Sequence, residues 1–290
     1  MYRNQTYLAP MSYIPFTKMH GLGNDFVVLD NRKGNLEIEP ADVRAIGDRR
    51  TGVGFDQLLI LEQARNPTAH IFMQILNPDG SEAEACGNGT RCVAALIMTE
   101  MGKSNASIET IAGILETKCT SKNMVSVDMG RAQWDWQHIP LSEERDTLNL
   151  GISSGNLVDP AAVNIGNPHM VFFVDDAESI DLSAHGPKLE NHPLFPERTN
   201  VEVASLIGPD KIRMRVWERG AGITPACGSG ACAVGVTAHL RGLTSRKIEV
   251  FLDGGRLTIE WTERDRIIMT GPVATAFEGT LDLNGITKAH

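Results

Sequence analysis

Ala85-Cys86-Gly87-Asn88-Gly89 recurs 141 residues later as Ala226-Cys227-Gly228-Ser229-Gly230. At that same offset, without a gap, "IFMQIL" (Ile71 to Leu76) falls on "IRMRVW" (Ile212 to Trp217), with Ile71/Ile212 and Met73/Met214 identical. Two further landmarks keep the order. Gly23-Asn24 corresponds to Gly166-Asn167 at offset 143, each leading into an apolar run that ends in Asp ("FVVLD" to Asp30, "MVFFVD" to Asp175), and Gln57 falls on Asn200 at the same offset. Gly113 and Leu115 match Gly255 and Leu257 at offset 142. One repeat of this length implies two similar lobes, whereas a solenoid needs several short repeats.

Between the landmarks the chain is a series of short β-rich runs punctuated by Gly, Pro, Asn and Asp, such as "QLLILE", "MVSVDM" and "KIRMRVW". The stretches after each repeated cysteine differ. Asn88 to Met101 and Ser229 to Leu240 contain small residues and good helix formers, apolar on nearly every side, which predicts two buried helices. Gly102 and Gly242 are placed to end them. The expected fold is α+β: two pseudo-symmetric lobes, each a curved, mainly antiparallel sheet or barrel around one central buried helix. Residues 1–14 read as an N-terminal extension, 15–132 as the first lobe and 133–274 as the second. The irregular, polar stretch from Gln133 to Leu150 suits an inter-lobe connection.

With 290 residues, 42% hydrophobic and 22% charged, the chain suits two soluble domains of ordinary size. No membrane span and no secretory signal are legible, and five cysteines, an odd number, argue for free thiols in a reducing compartment, so a cytoplasmic location is expected. A net charge of −9 and no basic stripe interleaved with aromatics give no support to a nucleic-acid partner. A small-molecule substrate is the better expectation, and the sequence is compatible with a homodimer.

A Cys-Gly-x-Gly turn opening a buried helix puts the thiol beside free backbone N–H groups and the positive end of the helix dipole. That setting is expected to favour thiolate, and it forms a cradle for a carboxylate. A lone cysteine there is ordinarily a packing residue; two at equivalent places in a duplicated fold can oppose each other across one cleft, as inversion of a stereocentre requires. Cys92, Cys119 and Cys232 lack the glycine setting and are expected to pack. The Cys86/Cys92 and Cys227/Cys232 spacings are not those of a structural zinc site, and no P-loop Lys-Ser/Thr follows the glycines. Asn24, Gln57 and Asn77 in the first half, and Asn167, Asn200, Glu218 and Arg219 in the second, are each ordinary turn or capping residues alone and together could line a cleft. His169 stands apart from the other histidines because it follows the Asn167 landmark. Glu218-Arg219 either recognises a zwitterion or solvates a rim.

The strings "KMHGLGNDFVV", "GFDQLLI", "NPDGSEAEACGNGTRC", "VDMG", "GNPHMVFFVDD", "FPERTNVE", "VWERGAG" and "ACGSGACA" together resemble the diaminopimelate epimerase family, in family order from about Phe16 to Gly271. Proline racemases share the fold and paired cysteines but resemble these strings less, and phenazine-biosynthesis isomerases of the same fold lack the cysteine pair. The resemblance implies an epimerase that interconverts LL- and meso-diaminopimelate without pyridoxal phosphate or any other cofactor or metal, supplying lysine and peptidoglycan precursors. It implies Cys86 and Cys227 as the two acid/base residues, with His169 and Glu218 beside the reacting centre. It implies the backbone groups of Gly87, Asn88, Gly228 and Ser229 as carboxylate donors. Asn24, Gln57, Asn77, Asn167, Asn200, Glu218 and Arg219 match substrate-binding positions, with Arg219 on the distal carboxylate. By the same resemblance, residues 275–290 return to complete the first lobe. Met170, Ile223 and Pro225 depart from the commonest pattern, and none of them replaces a catalytic position. Two rivals are a proline or hydroxyproline racemase, which has no distal carboxylate for Arg219, and a thiol redox switch.

Overall fold

The computed structural model describes residues 13–34 and 36–287. In the first half the strands are β1 (Tyr13–Gly21), β2 (Asn24–Asp30), β3 (Gln57–Glu62), β4 (Ile71–Leu76), β5 (Asn105–Thr110), β6 (Gly113–Ser121) and β7 (Met124–Asp128), with helices α1 (Pro40–Gly47) and α2 (Gly87–Met101). The second half carries β8 (Ser153–Ser154), β9 (Leu157–Val158), β10 (Ala161–Asn164), β11 (Pro168–Phe173), α3 (Leu182–Glu190), β12 (Asn200–Gly208), β13 (Lys211–Glu218), β14 (Gly222–Ile223), α4 (Gly228–Leu240), β15 (Lys247–Leu252), β16 (Gly255–Trp261), β17 (Ile267–Pro272) and β18 (Ala274–Asp282), then a short α5 (Leu283–Thr287). Of the residues read as an extension, Tyr13 and Ile14 open β1, and 1–12 lie outside the described residues.

The duplication seen in the sequence is repeated in the strand pairing. From β1 to β7 successive neighbours pair antiparallel, parallel, antiparallel, parallel, antiparallel, antiparallel. The series β10, β11, β12, β13, β15, β16, β17 runs through the same order. Even the registers agree: Phe26 lies opposite Gln57 as His169 lies opposite Asn200, and Thr117 opposite Val127 as Ile259 opposite Met269. β7 and β17 pair antiparallel and join the two halves, and β18 adds to β1 at the far edge. The expected mainly antiparallel, pseudo-symmetric α+β architecture is what the chain adopts.

Each half wraps its sheet around one apolar helix. Val93, Ile97 and Met98 of α2 pack with Phe26, Leu59, Met73 and Ile108. Ala231, Val234 and Val236 of α4 pack with Ile212, Met214, Val250 and Leu257. Each such fully buried aliphatic chain contributes roughly 1.5–3 kcal/mol, so these helices are fixed in place by the sheet around them. Both end as expected, at left-handed glycines (φ 64° at Gly102, 71° at Gly242), with Lys103 and Leu243 donating back to the carbonyls of Met98 and Ala238.

Two outer helices, α1 and α3, were not anticipated by the sequence reading. α1 covers the other face of the first sheet through Val43 and Ile46 against Phe55, Leu58 and Leu76, and α3 does the same in the second half through Leu182 and Leu189 against Phe172 and Val201. They are short, and the second carries the poor helix formers Gly186 and Pro187, so neither shows a sustained helical period in the sequence. Among the described residues no helix is long and apolar enough to cross a membrane.

Candidate active site

Both repeated cysteines occupy the N-cap position of their helix, in extended backbone, with the sulfur standing where a serine oxygen usually stands. Cys86 Sγ accepts from the Gly89 N–H at 3.3 Å and Cys227 Sγ from the Gly230 N–H at 3.4 Å. The first-turn amides of Gly87, Asn88, Gly228 and Ser229 have no acceptor within their helices, as at any helix start. The two helix starts converge on one methionine. A Cβ on Gly87 would lie 2.7 Å from Met269 Cε, and one on Gly228 would lie 2.9 Å from Met269 Sδ, so a larger residue at either turn would displace the end of this methionine.

Asn88 bridges the two turns. It is buried, and its Nδ2 donates to Asn24 Oδ1 at 3.1 Å and to the Ala226 carbonyl at 3.3 Å. Asn24 in turn donates to Asp56 Oδ2 at 3.0 Å. Asp56 and Asp25 share Arg49, and Lys18 donates to Asp25 and to the Gly54 carbonyl. Burial works against ionisation of Asp25, but the hydrogen bonds from Arg49 and Lys18 outweigh it and hold its pKa below the ordinary value. Gln57 donates to Asn77 Oδ1 at 3.2 Å, and Asn77 to Ser81 Oγ at 3.1 Å, so this pair is tied to itself and not to the cysteine turns.

On the Cys227 side the polar groups are packed more deeply. His169 is fully buried, with Nδ1 2.6 Å from Glu202 Oε1 and Nε2 2.8 Å from Asn167 Oδ1, so an oxygen fixes the ring at each nitrogen. Glu202 is also fully buried, and its Oε2 has no partner. Thr224 donates to Glu218 Oε1, and Ser229 Oγ lies 3.6 Å from Cys227 Sγ. Asn200 is oriented by the backbone: its Nδ2 donates to the Pro168 carbonyl and its Oδ1 accepts from the Arg219 N–H at 2.9 Å, which leaves its second Nδ2 donor for a ligand. The Arg219 guanidinium donates to the Glu197 carbonyl at 3.0 Å.

The expectation that the helix starts would favour thiolate is corrected here, because burial outweighs them. Desolvation pushes the Cys86 thiol up to about 11 against the pull of the Gly89 amide, and the nearby Glu218 charge adds to the rise. Cys227 is pushed well above its ordinary value by burial first, then by the charges of Glu218 and Glu202. Burial raises Glu218 itself, opposed by its hydrogen bonds to Thr224 and Cys227. Of the three cysteines expected to pack, Cys92 and Cys232 are buried, but Cys119 is exposed on β6. Among the described residues no three His, Cys, Asp or Glu side chains gather as a metal site would need.

Several residues around the site were missed by the sequence reading. Asp56 adjoins Gln57, Glu202 is a lone charge in the buried strand β12, and Arg91 is a charge in the buried first half of helix α2. A charged residue inside a run that must be buried was the available signal.

A family model described as Diaminopimelate epimerase matches residues 16–135 and 161–276. Curated relatives named "Diaminopimelate epimerase" include one from Rhodospirillum centenum, 57% identical over 92% of this chain and 91% of the relative. Another, from Acidiphilium cryptum, is 52% identical over 92% of this chain and 96% of the relative. Among solved structures, a probable proline racemase from Agrobacterium radiobacter, with bound carbonate, superposes with a TM-score of 0.67 at 17% identity, covering 92% of each chain. At that identity the likeness shows the fold alone.

Proposed function

The chain belongs to the diaminopimelate epimerase family and interconverts diaminopimelate isomers, and we propose that it does so by proton transfer between Cys86 and Cys227. The observation that supports this assignment is the convergence of two capped cysteine turns on Met269, with Asn88 joining them. One cysteine, as thiolate, takes the α-proton of LL-diaminopimelate: the Cα–H bond breaks and an S–H bond forms. The electron pair left on Cα delocalises into the carboxylate. The other cysteine, as thiol, then gives its proton to the opposite face and is left as thiolate, giving the meso isomer. In the reverse direction the roles exchange.

Elementary chemistry says what the site must supply. The α-proton is very weakly acidic, so the base must be strong and the developing carboxylate charge must be met by fixed donors. A thiolate whose conjugate acid is raised to about 11 is a stronger base than an ordinary one, and a smaller fraction of it is ionised at pH 7. The amides of Gly87, Asn88, Gly228 and Ser229 are assigned to the α-carboxylate. Asn24, Gln57, Asn77, Asn167 and Asn200 are assigned to the substrate's polar ends, Glu218 and His169 to the α-amino side, and Arg219 to the distal carboxylate as a bidentate partner. The Glu197 carbonyl engages one Nη1 donor of the Arg219 guanidinium, which has five N–H groups, so others are left for a carboxylate.

The reading further holds that the chain works in the cytoplasm without a cofactor, on a free amino acid, with no nucleic-acid or membrane partner, as a monomer or a homodimer. It divides the chain into a lobe of 15–132 completed from 275 onward and a lobe of 133–274. Single substitutions Cys86→Ser and Cys227→Ser test the central assignment. Each should remove nearly all epimerisation while circular dichroism stays native; turnover retained by either variant contradicts the two-cysteine mechanism.

A further inference from the structure

Arg91, one turn into α2, is fully buried. Its Nη1 meets the Met269 sulfur at 3.5 Å, and its Nε and Nη2 have no hydrogen-bond partner. A guanidinium stays protonated in a protein, and burying one without an anion is strongly unfavourable. Burial lowers its pKa, and the ionisable groups opposing that are thiols: Cys92 on its own helix, Cys86 at the helix start, and Cys232 of α4.

The surroundings are shaped to admit this side chain. A Cβ on Gly21 of β1 would lie 2.9 Å from Nη2, and one on Gly271 of β17 would lie 3.1 Å from Nε and Cζ. Met269, which Arg91 contacts, is the residue against which Gly87 and Gly228 close. The charge therefore sits one methionine away from both helix starts. At the offset of the duplication Arg91 corresponds to Cys232, so one half supplies a cation where the other supplies a small side chain.

We propose that Arg91 is an electrostatic positioning residue, whose uncompensated charge stabilises the negative charge that alternates between Cys86 sulfur and the substrate carboxylate. The proposal rests on Cys86 being one of the two acid/base residues. Arg91 does not touch the reacting atoms; it acts through its field. Desolvation raises the Cys86 thiol most; the Gly89 amide, Arg91 and the Asn88 amide favour thiolate against it, and Glu218 adds to the rise. Cys227 faces Glu218 and Glu202 instead. Arg91 is thus among the leading charges at Cys86 and not among those at Cys227, although the two turns are near copies.

The test compares Arg91→Met, neutral and of similar length, with Arg91→Lys, which keeps the charge. Iodoacetamide labelling of Cys86 in the substrate-free enzyme is followed by the mass of its peptide across pH, beside kcat and KM. Arg91→Met should slow labelling at pH 9 about tenfold or more and lower kcat by a similar factor with KM little changed, and Arg91→Lys should recover most of both. A natively folded Arg91→Met with wild-type labelling, or equal impairment of the two variants, overturns the proposal. If Arg91→Met does not fold, Arg91→Gln against Arg91→Lys decides by the same readouts. Full turnover in Cys86→Ser would remove the underlying mechanism instead, and that variant leaves Arg91 in place, so the two failures are distinguishable.

Discussion

Asn88 and Ala226 meet across the boundary between the two halves, the Asn88 Nδ2 donating to the Ala226 carbonyl at 3.3 Å. Asn88 lies in the Cys86 turn and Ala226 precedes Cys227, so this hydrogen bond ties the two cysteine turns to each other. Asn88→Ala removes it together with the bond to Asn24, at a cost of about 1–3 kcal/mol in stability. Displacing the turns should cost more in rate than in fold. We expect kcat/KM to fall about ten- to a hundredfold, measured by coupled assay beside a urea melt. Unchanged kcat/KM in a folded variant would show that the bridge does not register the cysteines.

Glu202→Gln should keep a hydrogen bond to His169 while removing a charge. Burial and then Glu218 and Glu202 raise the Cys227 pKa, so deleting the Glu202 charge lowers it. At a given pH Cys227 should label faster in the variant than in the wild type, and the acid-side limb of the rate profile should move to lower pH. Slower labelling would mean that Glu202 does not act on Cys227 as a charge.

Gly254 abuts two backbone segments that lead to the site. A Cβ there would lie 1.8 Å from the Leu22 carbonyl oxygen and 3.1 Å from that of Pro225, and neither can rotate away. Gly254→Ala must push apart the Leu22 turn, which leads to Asn24, and Pro225, which leads to Cys227. Overpacking of this kind costs about 1–3 kcal/mol or more, so Tm should drop by several degrees with kcat/KM falling alongside. An alanine variant with wild-type Tm would show that the contact is looser than described.

Buried thiols make the fold sensitive to alkali. Burial raises Cys92 and Cys232 to about 12, from 9.0. The folded state therefore holds protons that the unfolded chain releases above pH 9. The stability from these groups is complete below pH 9 and is lost as pH rises through 9 towards 12, by about 1.4 kcal/mol per pH unit for each thiol at most. Urea midpoints should be flat from pH 7 to 8.5 and fall above 9, with a shallower fall in Cys232→Ala. A midpoint that rises above pH 9 has the wrong sign for this account.

Much of the fold was legible because the chain carries two copies of it. The offset that places Gln57 on Asn200 also fixes their registers against Phe26 and His169, since equal apolar spacing selects equal pairing. The outer helices were not legible: α1 is short, and α3 contains Gly186 and Pro187, residues that argue against a helix in sequence. Within the site, the sequence singled out Cys86, Cys227, Asn88 and His169, and the structure ties Asn88 to Asn24 and His169 to Asn167. It did not single out Asp56, Glu202 or Arg91, whose roles depend on which strand or helix is buried. The direction of the cysteine pKa shifts was also out of reach, because a helix start is visible in sequence and the depth of burial that opposes it is not.

The most direct test of the account is epimerisation of LL-diaminopimelate in deuterated water by the reduced enzyme, with α-deuterium located by NMR after chiral separation. Proton transfer between two opposed, solvent-equilibrated thiols predicts deuterium at the newly formed centre of the meso product, and none of this product from Cys86→Ser or Cys227→Ser. Meso product that keeps its original α-hydrogen, or equal turnover in either serine variant, would contradict it.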